Sequence, residues 1–159
     1  MPPYLIIQFY CVKILSKNKI IIINLLTFEG IFRGSNMNNK LIAVGSYQEN
    51  FHSYLPYEIK HPTIYQSEGL KKHILKRHPD CVQYIALIPQ IIASPDYIGV
   101  NPNEKNISFE LVKCISQNVQ LGIKLDVKNN YLYVATLHTI TDSKLRHGIQ
   151  NGRLKKFDK

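Results

Sequence analysis

Apolar positions along the chain change period twice, and the changes divide it into segments. Residues 2–28 are densely apolar, in the run PPYLIIQFYCVKILSKNKIIIINLLTF, but Lys13, Lys17 and Lys19 interrupt it. It therefore falls short of the roughly 18 uncharged residues that a membrane helix needs. The run KLIAVGSY reads as a short strand, and the aromatic, Pro-punctuated stretch NFHSYLPYEIKHPTIYQ reads as loop or irregular packing. Ser67 is a suitable N-cap for a helix through Arg77, with Leu70, Ile74 and Leu75 as its apolar positions, and Pro79 stops it by restricting His78. Asp80 opens a second helix in which Cys81, Ile85, Ile88 and Ile92 recur at helical spacing, kinked by Pro89.

Beyond a turn-rich connector containing YIGV, the period becomes two. Residues 107–115 and 119–127 alternate as strands. Residues 131–140 are β-branched, aromatic and apolar on both faces at their start, which suggests a central strand, and Asn129-Asn130 suits a tight turn because Asn tolerates positive φ. Asp142 caps a last helix through about Gln150, ended by Asn151-Gly152, and the tail GRLKKFDK follows. Helices followed by an antiparallel meander predict an α+β fold. N-terminal helices cover one face of a four-stranded antiparallel sheet, and a short helix closes the chain.

Two-residue turns would place Val112, Cys114, Leu121, Ile123, Leu125 and Val134 on the helix-packed face. Lys113, Gln120, Gly122, Lys124, Tyr133 and Thr139 would then share the other, where Gly122 leaves room for a ligand beside Lys113. A bland reading makes Lys113 a lysine snorkelling from a half-wet sheet.

Charge alters this picture. The chain has 20 Lys+Arg against 11 Asp+Glu, a net charge of +9, which favours an anionic partner and most simply nucleic acid. Ile, Lys, Asn and Tyr are abundant and only 4 of the 20 cations are Arg, so part of the excess reflects an AT-rich gene. Cys11, Cys81 and Cys114 are odd in number and contain no C-x-x-C, which fits a reducing, cytoplasmic setting.

Residues 1–36 are expected to be an extension, either a short hairpin or helix or a mis-annotated leader. In the second case translation begins at Met37, because Glu29-Gly30 and Arg33-Gly34 have purine-rich codons that resemble ribosome-binding sequences. Peptides N-terminal to Met37 in mass spectra of the native protein would rule the leader out. Residues 37–159 form the single main domain.

No P-loop, dinucleotide fingerprint, HExxH or nucleophile elbow is present, and the carboxylates are scattered, so no cofactor or metal is expected. His, Lys and Thr are the groups of metal-independent RNA cleavage. Imidazoles move the protons, and cations stabilise the crowded phosphorane. His73 and His78 lie five residues apart, roughly 140° around a helix, so they do not form an i,i+4 metal pair. Lys72 and Lys76 share a face. Each His has an ordinary packing or capping explanation, and the lysines an ordinary solvated one.

The segments GLKKHILKRHPDCVQYIALIPQIIASPDYIGVNP, SFELVK, LGIKLD, YLYVATLHTI and GRLKKF, in this order over residues 60–157, resemble the phage- and mobile-element-associated nucleases of the barnase/EndoU/colicin/RelE superfamily, of the small third subgroup. The resemblance implies helices against a four-stranded antiparallel sheet and metal-independent endoribonuclease activity. By position it places the family's helix histidine at His73, the following His-Pro at His78, the strand cation at Lys113 and the final-strand hydroxyl at Thr136. Thr139 is the alternative hydroxyl, since the expected register puts Thr136 away from Lys113.

The reading is an endoribonuclease that leaves a 2′,3′-cyclic phosphate on RNA, with tRNA or mRNA as substrate. Lys72, Lys76, Arg77, Lys124 and Arg153 hold the backbone, an immunity or antitoxin protein is a further partner, and no membrane is involved. The rival is a non-catalytic nucleic-acid- or protein-binding module on the same scaffold.

Overall fold

The computed structural model describes residues 9–16, 19–26, 40–60 and 63–158. The chain divides into two units, 1–38 and 39–159. In the first, β1 (Phe9–Ser16) and β2 (Lys19–Leu26) pair antiparallel as a hairpin, Phe9 opposite Leu26 and Ser16 opposite Lys19. The expected start at Met37 lies outside the described residues. No helix among the described residues is long and apolar enough to cross a membrane.

The second unit is α+β, built on one mixed sheet of seven strands. In chain order these are β3 (Leu41–Ser46), β4 (Thr63–Ser67), β5 (Tyr97–Gly99), β6 (Ser108–Cys114), β7 (Asn118–Asp126), β8 (Tyr131–Ile140) and β9 (Leu154–Lys156). Their spatial order is β3-β4-β8-β7-β6-β5-β9. The expected four-stranded antiparallel sheet corresponds to the run β8-β7-β6-β5. It is widened by β9 on one side and by β4, parallel to β8, with β3 on the other. Both additions are short. β4 emerges from the stretch read as irregular, and β9 from the basic tail.

Helix α1 (Glu68–Arg77) follows β4 directly, with Ser67 at its N-cap, and buries Leu70 and Ile74 one turn apart. Leu75, expected to be an anchor, is exposed. Pro79 ends the helix, as anticipated. The next segment is not a kinked α-helix, however: Pro79–Leu87 winds as a 3-10 helix, and a short α2 (Ile88–Ala93) follows. α1, the 3-10 segment and α2 pack on one sheet face through Leu70, Ile74, Cys81, Tyr84, Ile88, Ile91 and Ile92. These meet Phe109, Leu111, Val119, Leu121, Ile123, Leu132, Val134 and Leu137. Each fully buried aliphatic side chain contributes about 1.5–3 kcal/mol relative to exposure, so this layer dominates stability.

α3 (Asp142–Gln150) lies on the opposite face. Its N-cap is Thr141, one residue before the expected Asp142, and the Thr141 hydroxyl accepts from the Lys144 N–H at 3.3 Å. Leu145 of α3 joins Val112, Ile140 and Leu154 in a second, smaller cluster. Buried Asn118 donates to the Asp142 carboxylate at 2.6 Å and fixes the start of α3 to the sheet. Gly152, at φ 73°, turns the chain back into β9.

Candidate functional site

Strand register decides which side chains meet. Between β6 and β7 the connection has three residues, Ile115–Gln117, because Cys114 pairs with Asn118. The two-residue turn expected between these strands is therefore corrected to three residues, and with it the faces of β6. Phe109, Leu111 and Lys113 point to the helix layer, while Ser108, Glu110, Val112 and Cys114 point away. Four residues, Val127–Asn130, connect β7 to β8. Asn130 takes φ 59°, and Asp126 accepts from the Asn129 N–H at 2.9 Å. A bulge at Ala135 then shifts β8, since Gly122 pairs with Thr136 but Ile123 with Val134.

The result is a set of rows on the face opposite the helix layer. Lys124 lies beside Tyr133, Glu110 beside Gly122 and Thr136, and Val112 beside Gln120 and His138. The strand spacing of about 4.8 Å puts Glu110 and Thr136 roughly 10 Å apart at the backbone. Gly122 is the floor between them. A β-carbon there would lie 2.6 Å from Thr136 Cγ2, so the trough depends on glycine.

Three elements wall this trough. α3 supplies Ser143, Lys144 and His147, and the turn into β9 supplies Arg153. With Gln120, His138 and Ile140 these line a cavity of about 390 Å³. Arg153 can come in only because position 99 is glycine: a β-carbon at Gly99 would overlap the Arg153 carbonyl. The third wall is the end of α1, where the His78 ring stacks on His138 with centroids 5.5 Å apart.

Glu110 is buried, and its carboxylate is ion-paired with the Arg153 guanidinium. Burial raises its pKa above the usual carboxylate value. Arg153 and a hydrogen bond from Gln120 oppose that rise and favour the ionised form. His138 shifts the other way. Burial lowers its pKa, and the neighbouring His78 and Lys144 lower it further. Its Nδ1 lies 3.3 Å from Thr136 Oγ1, which holds the ring. The trough thus contains a carboxylate, an imidazole and several cations, a set able to remove one proton, deliver another and stabilise an anion between them.

The anticipated site residues fall into four groups. His78 and Thr136 join the trough through His138, and Arg153 through Glu110. His73 is exposed and lines a second, shallower cavity of about 340 Å³ with Ser67, Gly69, Lys124, Tyr133 and Ala135. The Lys124 ammonium there meets Glu104 at 2.9 Å. Lys72, Lys76 and Arg77 are exposed on α1.

Lys113 and Thr139 share a face as expected, flanking Val119, but it is the helix-packed face. Lys113 Nζ binds Asp96 Oδ1 at 2.9 Å, on the other side of the sheet from Thr136. Glu110, His138, Lys144 and His147 were not among the expected site residues, and Gln120 was expected only to share the face of Gly122. A glutamate directly between the apolar residues Phe109 and Leu111 of SFELVKC was the available signal for the first. Among the described residues, no three His, Cys, Asp or Glu side chains gather as a metal-holding group.

A family model described as phage-Barnase-EndoU-ColicinE5/D-RelE like nuclease3 matches residues 42–147, which include most of the trough. No curated protein and no solved structure matches the chain.

Proposed function

The chain belongs to the phage-Barnase-EndoU-ColicinE5/D-RelE like nuclease3 family, and from that premise we propose that it is a metal-independent endoribonuclease acting in the Glu110–His138 trough. The reading is carried by one observation: a buried carboxylate, a half-buried imidazole and Arg153 sit on one sheet face around the glycine floor at Gly122.

The scissile phosphodiester lies over Gly122. The Glu110 carboxylate takes the proton of the ribose 2′-hydroxyl, and the 2′-oxygen attacks phosphorus. As the bond to the 5′-oxygen breaks, protonated His138 delivers its proton to that oxygen. The products are a 2′,3′-cyclic phosphate and a free 5′-hydroxyl. Arg153 and Lys144 balance the extra negative charge on the phosphorane, and Thr136 and His78 hold the His138 ring. Lys72, Lys76 and Arg77 add positive charge along α1 for the RNA backbone.

The test is cleavage of total RNA in EDTA by the wild-type protein, Glu110→Gln and His138→Ala. EDTA-resistant cleavage ending in cyclic phosphate, lost in both variants and blocked by 2′-deoxy substitution at the cut site, supports the proposal. Tight RNA binding without cleavage would identify a non-catalytic binding module instead.

A further inference from the structure

The trough continues, on the same sheet face, into a patch of tyrosines. Tyr131 and Tyr133 alternate with core residues Leu132 and Val134, so both rings stand on the far face. Tyr65 of β4, paired with Tyr133 across the parallel junction, stands beside them. Ring centroids are 5.8 Å apart for Tyr65–Tyr131 and 6.1 Å for Tyr131–Tyr133, with planes 85° and 63° from parallel, so no ring is sandwiched between its neighbours. All three side chains are half-buried. Within unit 39–159, α3 covers the opposite end of this face, over Val112 and Ile140.

Two further features show what such a patch would take. Tyr133 lies directly beside Lys124, and both line the shallow cavity that also holds His73. The Tyr133 row is one side-chain repeat, about 7 Å along the strand, from the Gly122 floor. Lys124 is held by Glu104, but a half-exposed pair of this kind is weak and yields readily to a phosphate. The Asp126 carboxylate at the outer end is engaged by Asn129.

We propose that Tyr65, Tyr131 and Tyr133 form a base-stacking platform for single-stranded RNA beside the cleaved phosphodiester, with Lys124 and His73 meeting the intervening phosphate. This rests on the nuclease reading for the RNA's position over the trough, but the platform is tested without cleavage. Aromatic rings on an open sheet face accept any base, since every base offers a π-face, and a lysine between them tracks the backbone. The platform selects unpaired RNA, because a duplex presents its bases edge-on and sheathed by phosphate.

The experiment measures fluorescence anisotropy of a labelled single-stranded RNA oligonucleotide with the full-length, cleavage-defective Glu110→Gln protein. The same RNA annealed to its complement serves as control. In that background, Tyr131→Leu or Tyr133→Leu weakens single-strand binding by about tenfold, while Tyr→Phe at the same position retains it and duplex binding is unchanged. Thermal unfolding of each variant distinguishes a lost contact from a lost fold. Single-strand affinity within twofold of the parent in folded Leu variants overturns the platform, as does an equal loss with duplex. If the wild type cleaves RNA but the Leu variants bind normally, the platform fails and the nuclease stands. If no cleavage occurs but the Leu and Phe variants separate, the platform stands without it.

Discussion

The imidazole of His138 stacks on that of His78, with ring centroids 5.5 Å apart and planes 30° from parallel. One ring comes from the end of β8 and the other from the C-cap of α1, so the stack joins the sheet to the helix bearing the exposed lysines. It also sets the ionisation of the trough. A second imidazole close to His138 makes the imidazolium harder to form, adding to the effect of burial.

The pH profile follows from this. In the proposed mechanism, cleavage requires Glu110 ionised and His138 protonated. Burial raises the Glu110 pKa and lowers that of His138, so the two shifts work against having both forms together and activity falls on both sides of its optimum. His78→Ala removes the neighbouring imidazole and part of the cover from His138, raising its pKa. The alkaline limb of kcat/KM against pH is expected to move upward while the acid limb stays in place. An unmoved alkaline limb would exclude His138 as the general acid.

Arg153 acts on the other limb. It opposes the burial that raises the Glu110 pKa, so Arg153→Ala raises that pKa further and moves the acid limb upward. Stability follows with a definite sign. A carboxyl whose folded pKa lies above its unfolded value favours the fold at low pH, and that contribution is lost as pH rises through the folded pKa. Denaturant titrations should therefore show little loss for Arg153→Ala near pH 4 and about 1–3 kcal/mol near pH 8. Glu110→Gln in the same background should recover most of the loss without recovering cleavage.

Lys113 offers a sharp contrast. The resemblance places the strand cation there, whereas the fold engages its ammonium with Asp96 on the helix-packed face. Lys113→Met should cost about 0–1 kcal/mol, as for a partly exposed ion pair, and leave the cleavage rate unchanged. His138→Ala should lower that rate by about 10² to 10⁴. Parallel single-turnover assays decide the matter: a Lys113→Met rate as low as that of His138→Ala would relocate the chemistry to the other face.

Elements that state their period over several repeats were legible in the chain. α1 and α3 have apolar stripes and end signals, and β6, β7 and β8 alternate long enough to be seen. The faces were not legible, because parity passes through a loop only if its length is known. One extra residue between Cys114 and Asn118 exchanged the sides of Lys113 and Val112, and the bulge at Ala135 shifted β8 again. β4 and β9 are five and three residues long, too short to show alternation. The site was only partly legible for a related reason. Glu110 looks like a solvent-facing strand residue until its partner is known, and that partner lies 43 residues away in what read as a tail.

Gly122 provides the last test, since it separates packing from catalysis. In Gly122→Ala the added methyl would lie 2.6 Å from Thr136 Cγ2, too close for any real contact, so Thr136 or the strand must shift. Overpacking of this kind costs about 1–3 kcal/mol in chemical denaturation. Thr136→Ser removes Cγ2 and keeps the hydroxyl, so the double variant Gly122→Ala/Thr136→Ser should regain most of that stability. Its cleavage should not recover, because the alanine methyl still occupies the floor where the proposed mechanism rests the phosphodiester. A double variant with both stability and wild-type cleavage would show that the scissile phosphate does not lie over Gly122.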